Sequence, residues 1–216
     1  MKKVAVVLSG CGKMDGSEIH EAVLTLLALD KAGVTYQCFA PDILQRRVVN
    51  HATGETVDEQ RNVLVESARI ARCEIENINK ANPNDFVAVV FPGGFGAALN
   101  LSDFGVNGAQ CRVEPETLKF AKAMAKAGKA LGFICIAPTL IPRIFDEPVD
   151  MTIGTDAETA QAVEKMGAHH VACSVTECVI DKKHKVVSTP AYMLGQRISE
   201  VATGIEKAVQ AVLSLT

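Results

Sequence analysis

Short solid runs of apolar residues, rich in valine, recur along the chain at 4–8, 34–40, 87–91, 130–134, 179–181 and 186–189. Between most of them the apolar positions change to a helical period. Ile19, Val23, Leu26 and Leu27 follow i, i+4, i+7, i+8 spacing, and Gly33 ends that segment. Further helices are predicted from about 58 to 72, from 114 to 127 with Gly128 after it, and from 156 to 166 with Gly167 after it. The last runs from about 196 to 213, with Ile198, Val201, Ile205, Val209 and Val212 on one face. Strands that are apolar throughout, with helices between them, belong to a parallel sheet covered on both faces. The predicted fold is therefore α/β, a doubly wound, mostly parallel sheet sandwiched by helices, in one domain spanning 1–216. Two segments break the alternation. Residues 179–187 predict a hairpin with a charged tip, hence an antiparallel pair near one sheet edge, and the polar 101–113 segment reads as an insertion after the third strand.

Composition narrows the function more than the fold. With 48% hydrophobic and 22% charged residues, the 216-residue chain is globular in character. A formal charge of −3 argues against broad binding to nucleic acid or to an anionic membrane. The apolar run at 4–8 is too short for a secretory core, and no stretch approaches the roughly 18 apolar residues that span a bilayer. Seven cysteines, widely spread and without C-x-x-C, predict reduced thiols and a cytoplasmic location.

Ligands of an open parallel sheet collect at the carboxyl ends of its strands, and three loops there are unusual. The first is Ser9-Gly10-Cys11-Gly12-Lys13-Met14-Asp15-Gly16. Asp15 stands where a dinucleotide fingerprint needs its third glycine, and Val7 where a phosphate loop needs its first, so nucleotide binding is not expected. Just beyond it, Glu18 has two readings: the second member of an Asp15-x-x-Glu18 capping box, or an acid/base projecting into a site. The second loop, Phe91-Pro92-Gly93-Gly94-Phe95-Gly96, allows positive φ and free N–H groups suited to an oxyanion, or is an ordinary tight turn. In the third, Gly132-Phe133-Ile134-Cys135-Ile136-Ala137-Pro138, a thiol follows an apolar strand much as the serine does in the G-x-S-x-G elbow. There Cys135 is either a small packed hydrophobe or a nucleophile whose pKa is lowered by a helix N-terminus, with the Ile136 N–H beside it. Of the remaining cysteines, Cys38 is expected packed and Cys111 exposed, with Cys11 the rival candidate. His51, His169, His170 and His184 are expected in structural or surface roles, and no metal site is predicted.

Taken together, these loops resemble the ElbB, or isoprenoid-biosynthesis glyoxalase, branch of the class I glutamine amidotransferase-like superfamily. That superfamily has a flavodoxin-like fold and also holds the Parkinson's-disease deglycase and its intracellular-protease relatives. The matching stretches include Asp15-Gly16-Ser17-Glu18-Ile19-His20-Glu21, Pro92-Gly93-Gly94-Phe95-Gly96, Gly132-Phe133-Ile134-Cys135, Thr152-Ile153-Gly154-Thr155-Asp156 and Thr189-Pro190-Ala191-Tyr192. They run nearly end to end. The resemblance implies that Cys135 is the elbow cysteine, Glu18 its acidic partner, and Gly93 and Gly94 the oxyanion turn.

One departure changes the implied chemistry. Glutaminase relatives use a Cys–His–Glu triad, and this chain has no H-x-E or H-x-D; Ile153-Gly154-Thr155-Asp156 stands where related deglycases carry a histidine. Amide hydrolysis needs a base to activate the thiol and protonate the leaving amine, whereas addition to an aldehyde asks less, since no amine must leave. The expected activity is a glyoxalase needing neither glutathione nor metal nor other cofactor, converting a small 2-oxoaldehyde (methylglyoxal or glyoxal) to lactate or glycolate. Cys135 would attack, Gly94 and Ile136 would hold the oxyanion with Gly93 shaping the turn, and Glu18 would move the proton. The alternative is a non-catalytic redox sensor that acts through Cys135 and a protein partner. The 101–113 insertion has two readings, a cover over the site or a contact in a homodimer.

Overall fold

Within each central strand successive side chains point to opposite faces, and both faces are apolar. Val4 and Val6 lie on one side of the first strand with Ala88 and Val90 of a neighbour, while Ala5 and Val7 lie on the other with Val89 and Phe91. The computed structural model describes residues 2–216. Its first half comprises β1 (Lys3–Val7), α1 (Ile19–Lys31), β2 (Thr35–Ala40), β3 (Val48–Asn50), β4 (Glu55–Val57), α2 (Val63–Ile70), β5 (Ile75–Asn77) and β6 (Ala88–Phe91). There follow α3 (Phe95–Leu99), α4 (Phe104–Asn107), α5 (Pro115–Lys126), β7 (Ala130–Ile134), α6 (Ile141–Ile144), β8 (Asp150–Met151) and α7 (Ala157–Lys165). The chain ends with β9 (His169–His170), β10 (Val179–Asp181), β11 (Val186–Thr189) and α8 (Ile198–Ser214).

Seven strands form the main sheet in the order β10-β11-β7-β6-β1-β2-β5. All neighbours are parallel except β10 and β11, the predicted edge hairpin. One face is covered by α1, α2 and α8 through Ala22, Leu29, Ile70, Val201, Ile205 and Val209. The other is covered by α5 and the segments around α6 and α7, with Phe120, Met124, Ile141 and Val163 against Phe91, Leu131 and Phe133. This is the doubly wound α/β fold that the alternation predicts. Among the described residues no helix is long and apolar enough to cross a membrane.

Four features differ from the sequence expectations. The antiparallel pair β3–β4 and the parallel pair β8–β9 form two small separate sheets, and β5 adds an edge strand. The 101–113 insertion contains α4 and is closed at its base by a Ser102–Val113 bridge. Cys111, expected exposed, is buried there at 2%. In α1, the apolar series Ile19, Val23 and Leu27 faces solvent at 44, 48 and 44% exposure, while Glu21, Ala22, Thr25, Ala28 and Leu29 face the interior. That inner series also has i, i+4, i+7, i+8 spacing, and the sheet selects it because small side chains let α1 lie close.

Candidate active site

β1, β6, β7 and β11 are adjacent, so the loops that leave their carboxyl ends meet over the middle of the sheet. Cys135 is the first residue past β7 and has φ +63°. Holding a residue with a Cβ in this left-handed region costs on the order of 1–2 kcal/mol. The turn is held by the Cys135 N–H, which donates to the Thr189 carbonyl at 2.9 Å and so ties the end of β7 to that of β11. The residue is 7% exposed.

The glycine turn after β6 closes on this thiol. A Cβ at Gly93 would lie 2.4 Å from the Cys135 Cβ and 2.5 Å from the Glu21 Oε2. Gly94 has φ +93°, and a Cβ there would lie 2.2 Å from the Glu18 backbone nitrogen. Neither position accommodates a side chain. The Gly93 N–H donates to Glu21 Oε2 at 3.1 Å. The Gly94 and Ile136 amides flank the thiol, one from each side of the junction, and favour its ionised form.

The structure sets a different carboxyl beside Cys135 from the one matched by the family pattern. Glu18 is the N-cap of α1; its Oε2 accepts from the Glu21 N–H at 2.8 Å, and its own N–H donates to the Gly93 carbonyl at 2.9 Å. The Asp15–Glu18 capping box does not form either, because buried Asp15 accepts from the Val49 N–H at 2.8 Å. A cap carboxyl folds back on its own helix, so the inward position falls one turn later, on Glu21. Glu21 is fully buried, and its carboxyl and the Cys135 side chain meet over Gly93. Its Oε1 accepts from the Tyr192 N–H at 3.1 Å, in a turn where Ala191 has φ +45°. The Tyr192 hydroxyl in turn meets His20 Nδ1 at 2.8 Å.

Burial pushes the Glu21 carboxyl up to about 8, and the neighbouring Glu18 charge adds to the rise. Hydrogen bonds from Tyr192 and Gly93, with the Cys135 thiol beside the carboxyl, oppose it without cancelling it. Burial also raises the Cys135 thiol well above its usual value, as does the Glu21 charge beside it, while the Gly94 and Ile136 amides work the other way. The expectation that a helix N-terminus would lower this pKa fails for two reasons. The chain past the elbow forms only a single 3-10 turn at Ala137–Leu140 and the four-residue α6, and the loss of water outweighs so short a dipole. Thiol and carboxyl thus form a buried pair that gives up its first proton above neutrality.

Glu21 and Tyr192 are the members of this cluster that sequence reasoning missed. The available signal for Glu21 was its place in the inner series with Thr25, Ala28 and Leu29. In the Ile153-Gly154-Thr155-Asp156 segment, Ile153 is buried, and a Cβ at Gly154 would lie 2.8 Å from the Leu194 Cγ. His170 approaches it, but its Nε2 accepts the Ile153 N–H at 3.3 Å. The rival Cys11 is half-buried, and its thiol is pushed up by burial and by Glu66. Among the described residues no group of three or more His, Cys, Asp or Glu side chains is placed to hold a metal ion.

No family model matches the chain. It is 44% identical over 224 aligned residues to the mitochondrial ES1 protein homolog of Rattus norvegicus, covering 99% of this chain and 84% of that protein. It is 43% identical to the Homo sapiens mitochondrial glutamine amidotransferase-like class 1 domain-containing protein 3, with 99% and 83% covered. "Mitochondrial" describes those relatives, and the expectation of a cytoplasmic location for this chain gains no support from them. A crystal structure of an isoprenoid biosynthesis protein with an amidotransferase-like domain from Ehrlichia chaffeensis superposes with a TM-score of 0.94 at 37% identity, over 100% of this chain and 99% of that one. Glyoxalase III from Candida albicans shares the fold, with a TM-score of 0.66 at 14% identity over 99% of this chain and 98% of that one. The chain belongs to the ES1 family of class I glutamine amidotransferase-like proteins.

Proposed function

We propose that the chain is a glyoxalase independent of glutathione and metal, acting on methylglyoxal or glyoxal. The observation that carries this reading is the buried Cys135–Glu21 pair that meets over Gly93, flanked by the Gly94 and Ile136 amides, and among the described residues no histidine is hydrogen-bonded to either member. Once the pair has lost one proton, the Cys135 sulfur adds to the aldehyde carbon, and the former carbonyl oxygen takes a proton to give a hemithioacetal. Glu21 removes the proton from that carbon and returns one to the neighbouring carbon, through an enediol, leaving a thioester. Water then cleaves the carbon–sulfur bond, releasing lactate or glycolate and the thiol. A carboxyl poised near 8 serves this shuttle because it can both accept and donate close to neutral pH. Glu18 holds the first turn of α1 and, through it, the position of Glu21.

Amide hydrolysis is the less favoured reading, since no histidine among the described residues is hydrogen-bonded to Cys135, and His20 reaches the pair only through the Tyr192 hydroxyl. The redox-sensor alternative relied on a low-pKa thiol, and the burial of Cys135 withdraws that premise. The name of the 37% identical Ehrlichia protein supports linking this chemistry to isoprenoid biosynthesis. The test is lactate release from methylglyoxal without added thiol. Cys135→Ser and Glu21→Gln should each lose at least about a hundredfold in kcat/KM, the usual range for a lost nucleophile or acid/base. Glu18→Gln should keep most of the activity while losing roughly 0.3–1 kcal/mol of stability, since the amide oxygen can still accept the Glu21 N–H and only the charge at the helix N-terminus is lost. Unchanged turnover in Cys135→Ser sinks the mechanism, and loss in Glu18→Gln with retention in Glu21→Gln reverses the assignment of the acid.

A further inference from the structure

A groove of about 680 Å³ runs along α5, on the opposite side of the sheet from α1 and with neither Cys135 nor Glu21 in its wall. One wall is a single face of α5, where Pro115, Leu118, Lys119 and Lys122 follow i, i+3, i+4, i+7 spacing. The other is the end of the 101–113 insertion with Arg143 of α6. Four of the lining residues are cations (Arg112, Lys119, Lys122 and Arg143) and none is an acid, in a chain whose formal charge is −3. Lys119 has a partner outside the groove, Glu116 at 3.4 Å.

Arg143 is built into the wall. Its Nε donates to the Cys111 carbonyl at 2.9 Å and its Nη2 to the Ala109 carbonyl at 2.5 Å, which fixes the guanidinium plane and joins α6 to the insertion. An arginine held in this way donates its remaining N–H groups at little cost in side-chain entropy. Between the charges the surface is apolar, from Pro115 and Leu118. Four like charges around one concavity repel one another, and a multivalent anion relieves that repulsion. An apolar floor beneath them adds a preference for carbon.

We propose that this groove binds a small organic phosphate or diphosphate, its anionic head among Arg112, Lys122 and Arg143 and its apolar portion over Leu118 and Pro115. The insertion then supplies one wall of a second ligand site. Its volume falls in the range of small-molecule sites, roughly 300–1,000 Å³.

Isothermal titration of the full chain with n-octyl phosphate, inorganic pyrophosphate and n-octyl glucoside tests this. One saturable site is expected for octyl phosphate, with no binding of the neutral glucoside. Pyrophosphate should bind the same site more weakly. The variant Arg112→Gln/Lys122→Gln should weaken octyl phosphate by about tenfold or more, because two charge-assisted contacts are lost. It should leave lactate formation and the thermal transition unchanged, since both side chains lie at the surface outside the catalytic pair. The proposal falls if wild-type protein shows no saturable binding below about 5 mM, a very weak affinity even for a fragment. It also falls if the double variant binds octyl phosphate as wild type does, if the glucoside binds equally well, or if pyrophosphate binds as tightly as octyl phosphate.

Discussion

Glu21 is a carboxyl that folding has moved almost out of reach of water, and its chemistry stems from that displacement. Its oxygens take N–H groups from Gly93 and Tyr192, yet burial still dominates and pushes the group up to about 8. A thiol in the same enclosure cannot ionise independently, because a second negative charge beside the first is heavily penalised. The pair should therefore lose one proton in a single apparent step. Lactate formation from methylglyoxal is expected to rise from about pH 6 to about pH 9, with one inflection near 8 that belongs to the pair as a whole. In Glu21→Gln the inflection should vanish along with most of the rate. An inflection near 8 that persists in that variant assigns it to another group.

At the scale of elements, α1 decides how the site is assembled. It carries two series of the same spacing, an apolar one from Ile19 and one of Glu21, Thr25, Ala28 and Leu29, and periodicity alone does not say which faces the sheet. The inner one consists of Ala22, Thr25, Ala28 and Leu29, and it brings Glu21 with it. Urea unfolding distinguishes the faces. Leu29→Ala should cost about 3 kcal/mol, as removal of a fully buried leucine does. Val23→Gln on the outer face should stay within about 0.5 kcal/mol. A large loss in Val23→Gln would place the outer series in a buried contact. The strands β1, β6 and β7 were visible in the sequence because burial on both faces writes an unbroken apolar run, while β2, the edge hairpin and the five longer helices were visible from shorter apolar stretches, a charged tip and helical period. The pairs β3–β4 and β8–β9 were not, since strands of two or three residues carry too few positions for any period. The elbow cysteine and the glycine turn could be located by motif, because their backbone geometry demands those residue types. The acid could not, because Glu18 and Glu21 stand one helical turn apart and only the packing of α1 tells cap from core.

For the molecule as a whole, a buried acid makes stability depend on pH in the opposite sense from a salt-bridged one. Between the ordinary glutamate range and about 8, the folded chain holds a proton on Glu21 that the unfolded chain has released. This contribution is complete below about pH 4.5 and is lost as pH rises through about 8. In chemical denaturation, wild type should lose stability across that window relative to Glu21→Gln, whose amide does not titrate. Parallel pH curves for the two proteins would refute the buried, protonated state. The backbone of the elbow carries a further consequence, for which substitutions the fold tolerates over evolutionary time. Gly93 and Gly94 cannot acquire a side chain without collision, while Cys135 and Ala191 keep theirs in a conformation that glycine would adopt more easily. Random drift would relax the second two toward glycine and is blocked at the first two. A neighbourhood that resists change in both directions should be nearly frozen in sequence, while the exposed outer face of α1 is free to vary.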